Sequence, residues 1–235
     1  MATLATLRNV VSRKIGLDNT ASSTDQALID EWVNQGVLEV LLRTHCTIEQ
    51  ATMDTTASTW LYQLPTSILH MKDLWREDAA GAVFPAVHDS YLEILNLHYA
   101  TTAAADSNVI HYAVVGSNLL AIWPTASTVY TIKLLYVPRP TALSAAGDDP
   151  ASEQFGRIPT EFHKAIEYYA LWQAADYDDD ASSDQGERYR AHFNDFIQAY
   201  ARPAIHKKGG GRLSAAVLNP RRKERLPRDP SASTW

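Results

Sequence analysis

Apolar side chains recur along this chain with two periods, and the changes between them divide it. Residues 3–15 place Leu4, Leu7, Val10 and Val11 at helical spacing, with Ile15 following and Gly16 as a stop, which predicts a short amphipathic helix. After the polar run Asn19–Thr24, Ser23 and Gln26 fit a capping box, and a second helix runs to about Arg43. Its apolar face holds Leu28, Ile29, Trp32, Val33, Val37, Val40 and Leu41, with Asp30, Glu31, Asn34, Gln35 and Glu39 on the other. Gly36 inside it marks a close helix contact.

The period changes after His45. Residues 47–54 and 60–64 read as strands joined by the small polar stretch 55–59, and Pro65 stops the second. Residues 69–76 predict a third strand, and 89–98 a short helix with Leu92, Leu95 and Tyr99 on one face. The clearest hairpin is 109–115 with 118–123, joined by Gly116-Ser117, a two-residue turn chemistry. Residues 129–136 form a strand with apolar residues on much of both faces, ended by Pro138 and Pro140. Residues 141–158 read as a loop. Pro159 then suits the first turn of a helix with the stripe Phe162, Ile166, Tyr169 and Trp172. Beyond the acidic turn 176–180, Ser182 or Ser183 caps a last helix with the stripe Tyr189, Phe193, Phe196 and Tyr200.

This order predicts an α+β fold: a four-helix-type bundle with an inserted β-rich lobe and an extended C-terminal tail. The bundle takes residues 1–44 and 141–201, the lobe 45–140, and an extended basic docking arm 202–235. Nine of the 22 aromatic residues lie in 159–200, which makes those helices core or a tight interface. The expected bundle core includes Trp32, Phe162, Ile166, Tyr169, Trp172, Phe193 and Phe196.

Charge changes the picture at the C-terminal end. The formal net is −6, yet residues 202–235 hold nine Lys/Arg against two acids, a net of +7, which leaves −13 on the rest. With four prolines, Gly209–Gly211 and little apolar material, this segment is expected to be extended or disordered when alone. An acidic body with a basic tail speaks to partners rather than fold. We favour an arm docking on an acidic protein surface, with Trp235 as an apolar anchor, over a nucleic-acid arm or a solubilising tail.

Catalytic chemistry finds little support. There is no P-loop, no G-x-G-x-x-G, no H-E-x-x-H and no G-x-S-x-G. The eight histidines are scattered singly. His45 and Cys46 are neighbours, but adjacent residues on a helix point apart, so a Cys–His nucleophile is disfavoured. Cys46, the single cysteine, reads as a buried bystander and excludes an internal disulfide or a multi-thiolate metal site. The cluster Asp176, Asp178, Asp179, Asp180 and Asp184 lacks the Gly and distal Glu of an EF-hand loop and reads as a solvated turn, as do Asp148 and Asp149. No run of eighteen or more apolar residues predicts a membrane span, and no secretory signal pattern opens the chain.

Four stretches carry a resemblance: the opening helix with the helix around 25–32; Trp60-Leu-Tyr-Gln-Leu-Pro-Thr-Ser-Ile-Leu69; Leu119-Leu-Ala-Ile-Trp-Pro124 with the strand 130–136; and Ile158-Pro-Thr-Glu-Phe-His163 leading into Tyr168–Ala175. In this order, over about residues 3–200, the chain resembles the head–tail adaptor (connector or head-completion) proteins of tailed bacteriophages. The resemblance implies a non-enzymatic virion component at the head–tail neck, assembled in the host cytoplasm. It implies a ring of twelve copies beneath the portal that extends the DNA channel and carries the tail or nozzle. The implied partners are the portal protein, a tail or nozzle protein and other copies of the chain. DNA would pass without specific binding, and no membrane, cofactor or metal is involved. An acidic body suits a channel wall, since it repels passing DNA. Arg212, Arg221, Arg222, Lys223, Arg225, Arg228 and Trp235 are the expected portal-docking residues. The alternatives are a nucleic-acid-binding regulator using the basic tail and a metal-dependent hydrolase using the Asp176–Asp184 cluster.

Overall fold

The computed structural model describes residues 2–16, 23–77, 82–100, 109–116, 118–177 and 183–201. Its helices are α1 (Leu4–Lys14), α2 (Ser23–Thr44), α3 (Tyr91–Ala100), α4 (His163–Tyr177) and α5 (Ser183–Phe196). Its strands are β1 (Glu49–Asp54), β2 (Leu61–Gln63), β3 (Ile68–Glu77), β4 (Val83–His88), β5 (Ile110–Val115), β6 (Leu119–Trp123) and β7 (Thr131–Pro138). The class is α+β, as the two hydrophobic periods require.

Helices α1, α2, α4 and α5 bury their stripes against one another. Leu4, Leu7 and Val11, then Ile29, Val33, Val37, Val40 and Leu41, meet Phe162, Ile166, Ala170, Leu171 and Phe193 in one core cluster. Trp32, Tyr169 and Phe196 pack on its margin. Trp172 is half-buried, its ring against Tyr169 and beneath Arg190. At Gly36, an added Cβ would stand 3.2 Å from the Ile166 carbonyl oxygen and 3.3 Å from the Tyr169 ring, so α2 and α4 touch there through backbone. Glu167, buried in α4, accepts from Lys14 of α1 and Lys164, each at 2.6 Å. An unpaired carboxylate at that depth would be costly, so Lys14 ties α1 to α4, while Lys164 completes the pairing from the same helix.

Residues 141–158 have no helical or strand period, yet they close this core with Leu143, Phe155 and Ile158. Polar contacts hold them. Asn34 accepts from the Leu143 N–H at 2.7 Å and donates to its carbonyl at 3.1 Å. The carbonyls of Asp148 and Ala146 accept from the first N–H groups of α1, which no helical partner could satisfy.

The seven strands form one sheet in the order β1-β7-β3-β4-β5-β6-β2. Every pairing is antiparallel except β4 with β5. β4 joins two halves, its first three residues pairing with β3 and its last three with β5. The sheet curls: Tyr62, Ile110, Tyr112, Leu120 and Ile122 from one half share a core with Ile68, Leu74, Ile132, Leu134 and Tyr136 from the other. The hairpin of β5 and β6 forms as expected, but Val115 pairs with Leu119, so its connection has three residues rather than two. Gly116 takes φ +62°, and Ser117 lies outside the described residues.

Two substitutions test the helical packing. Phe193→Ala should cost about 3–5 kcal/mol through lost transfer energy and the cavity left behind. Gly36→Val should cost about 1–3 kcal/mol by forcing α2 and α4 apart. Both are read as shifts of the denaturation midpoint, and unmoved midpoints would refute the packing.

Candidate functional site

All seven expected docking residues, Arg212, Arg221, Arg222, Lys223, Arg225, Arg228 and Trp235, lie outside the described residues. Of the acidic cluster, Asp178, Asp179 and Asp180 also lie outside, while Asp176 and Asp184 are exposed at the facing ends of α4 and α5. No three His, Cys, Asp or Glu side chains among the described residues are grouped to hold a metal. Cys46 belongs to the helical core, whereas the ring of His45 lies against His70, so the structure separates this sequence pair. His163 is buried, 3.3 Å from the Ile158 carbonyl oxygen, and burial pushes its pKa down.

The helices and the sheet meet at a joint that sequence reading missed. His45 follows α2 with φ +48°, a left-handed conformation that turns the chain out of the helix. On β3 two register shifts, at Leu69 and Lys72, each insert one residue relative to β7. Such bulges re-aim side chains. Ile68, Met71 and Leu74, three apart, all reach the core of the curled sheet, and Leu69 turns to the helical core. His70 then stacks on His45 with centroids 5.1 Å apart and planes 5° from parallel. Lys72 Nζ donates to His45 Nδ1 at 2.9 Å. Burial lowers the pKa of both imidazoles, and the Lys72 charge lowers it further. Thr47 and Glu49 add bonds from the start of β1 to Arg157 in the helix-side loop.

The outer face of β5 and β6 carries α3. Its start is a capping box: Ser90 Oγ accepts from the Glu93 N–H at 3.3 Å, and Glu93 Oε2 accepts from the Ser90 N–H at 2.9 Å. These bonds hold the Glu93 pKa below its ordinary value. The S-x-x-E spacing was a readable signal for this start. Ile94 is the fully buried residue of α3, set on Ala113 and Ala121. Trp60 stacks on His98 at 4.4 Å and on Tyr91 at 6.3 Å. Asp89 pairs with His111 Nδ1 at 2.6 Å, and the His111 ring lies against Trp123. Leu92 and Tyr99, which share one face as the sequence spacing predicts, stay 68% and 75% exposed.

At the far end of the sheet, a cleft is lined by Asp54, Arg76, Glu77, Tyr130, Thr131 and Lys133 among others. Its charges engage one another. Lys133 pairs with Glu77, Thr131 donates to Asp54 at 2.8 Å, and Arg76 stacks on Tyr130 at 4.4 Å and on Phe84 at 5.3 Å. This arrangement rigidifies the rim of the curl. Altogether the described geometry builds platforms and a joint. No helix among the described residues is long and apolar enough to cross a membrane.

A family model described as "SU10 adaptor protein" matches residues 2–220. No curated protein matches the chain.

The joint, together with the buried His163, carries a pH dependence of defined sign. His45, His70 and His163 all have folded pKa values below the ordinary value of about 6.5, so the unfolded chain binds protons that the folded one excludes. Their contribution to stability is present above that value and is lost as pH falls through the folded values. Thermal melts between neutral pH and pH about 5, above the range where most carboxylates titrate, should show a falling Tm. His45→Gln with His70→Gln should reduce that slope, leaving the share of His163, and an unchanged slope would remove the joint as a source.

Proposed function

Because the chain belongs to the SU10 adaptor protein family, a family of bacteriophage structural adaptors, we propose that it is a non-enzymatic part of the virion neck. Twelve copies form a ring below the portal, extend the DNA channel and give the tail or nozzle its platform. The observation that carries this reading is the match itself, which spans residues 2–220 of 235. Charge supports it: a body with a net of −13 is a poor surface for DNA to adhere to during passage.

In this reading the helices of residues 1–44 and 141–201 form the ring body, and the lobe of residues 45–140 reaches a neighbouring copy or the tail. Residues 202–235 are the portal-docking arm. Drawn out fully at about 3.3 Å per residue, they would reach roughly 110 Å, enough to cross to an adjoining ring. Arg212, Arg221, Arg222, Lys223, Arg225 and Arg228 meet carboxylates, which arginine can hold in bidentate fashion. Trp235 fills an apolar pocket and outweighs any single rim charge. Each arm gains modestly, and a ring of arms multiplies the effect.

Truncation at Pro203 tests the arm. The shortened protein should bind the portal of its own phage more weakly than the full chain, and most of the salt dependence of binding should go with the arm. Equal binding by both forms, at low and high salt alike, would refute the docking arm. A full chain that instead binds duplex DNA with steep salt dependence would favour the nucleic-acid reading.

A further inference from the structure

The sheet has two outer strands, β1 and β2, and they end it differently. β2 is three residues long, and so short a strand offers little edge. β1 has six residues, no Pro or Gly, and six consecutive pairs with β7 without a register shift. Among the described residues no strand pairs with its other side, so a regular row of backbone N–H and C=O groups faces outward. Ala51 and Met53 pack on the sheet core yet are only partly buried. Such an edge is a template for one more strand, with apolar side chains beside it for that strand to cover.

We propose that residues 213–218 of the same chain add to β1 as an eighth strand. Three observations choose this occupant. The first is where the described chain ends. α5 runs toward the joint: Asn194 accepts from Arg43, at the end of α2, at 3.0 Å, and Phe196 packs edge-on against Phe162. Arg157, in the segment leading to Phe162, lies 3.7 Å from Glu49, the first residue of β1. Ala201 thus comes at the sheet end of the helices, and the twelve residues on to Leu213 can span up to roughly 40 Å. The second is the segment itself. Leu213-Ser-Ala-Ala-Val-Leu218 is an uncharged run as long as β1, set between Gly209–Gly211 with Arg212 and Pro220. Alternation puts Leu213, Ala215 and Val217 on one side, where they would cover Ala51 and Met53. The third is charge. β1 begins with Glu49 and ends with Asp54, whereas the segment is preceded by Arg212 and followed by Arg221 and Arg222. Either direction of pairing brings opposite charges together at both ends. The family match also runs through this segment and stops at residue 220. Residues 221–235 remain available to the portal, so the inference goes beyond the docking-arm reading and does not depend on it.

Hydrogen exchange in the full chain tests the added strand. The β1 amides should exchange at least about tenfold faster in a chain ending at Gly211 than in the full chain. The Val37 amide in the helical core should be unchanged and serves as the reference. Ala216→Pro with Val217→Pro in the full chain should speed β1 exchange likewise, because one of two neighbouring N–H groups must face β1. Equal β1 exchange in the full chain and the chain ending at Gly211 would overturn the inference. So would protection that rises with protein concentration or arises only when portal is added, which would give the edge to a second copy or to the portal. A chain ending at Pro220 should keep the slow exchange. If it does so while losing portal binding or while keeping it, the strand is supported, and the docking-arm reading stands or falls separately.

Discussion

Strand β7 is the constraint on which the rest of the molecule depends, because it is paired on both sides and touches both cores. Its inward residues Ile132, Leu134 and Tyr136 fill the curled sheet, while Val137, one position on, faces the helices. Strict alternation makes this possible: neighbouring residues on a strand point to opposite sides. A one-residue slip would exchange the two sets, taking Ile132, Leu134 and Tyr136 out of the sheet core and Val137 out of the helical one. β3 must match this strand while turning Leu69 and His70 to the helical side: the bulge at Leu69 changes the parity and the bulge at Lys72 restores it.

The helical side solves a different problem. Its core is completed by a connecting segment with a single 3-10 turn, Glu153–Phe155, so backbone polar groups near it need partners that an α-helix ladder cannot supply. Asn34 imitates a strand partner for Leu143, and the carbonyls of Ala146 and Asp148 take the first two N–H groups of α1. A region that looks like a connector therefore behaves as part of the wall of the core.

Periodicity made the helices and most strands legible, because amphipathic stripes such as Leu4/Leu7/Val11 leave an unmistakable spacing. Gly36 was legible for the same reason, as a gap in a stripe at a close contact. β4 left no usable trace. Pro85 reads as a breaker, and the strand survives because its pairings are short, three residues to each neighbour. The loop residues Leu143, Phe155 and Ile158 carry no period at all, so their burial is a tertiary fact. The joint was hidden because bulges shift register without a residue signature, and His45, His70 and Lys72 meet only once β3 is bent. The docking residues proposed in the tail were read from the cluster of basic side chains and the apolar Trp235, and they lie outside the described residues.

The position of β7 in the chain has a consequence for how the protein is made. β1 spans residues 49–54 and β3 residues 68–77, yet the strand between them spans 131–138. During synthesis β1 and β3 leave the ribosome well before the strand that joins them. Non-local pairings of this kind are slow to close, and unpaired edges are where chains stick to one another. The helical core waits too, since Ile166 and Phe193 arrive last. The nascent chain therefore spends most of its translation without a completed core, and yield in the host will respond to translation rate and to chaperones that shield strand edges.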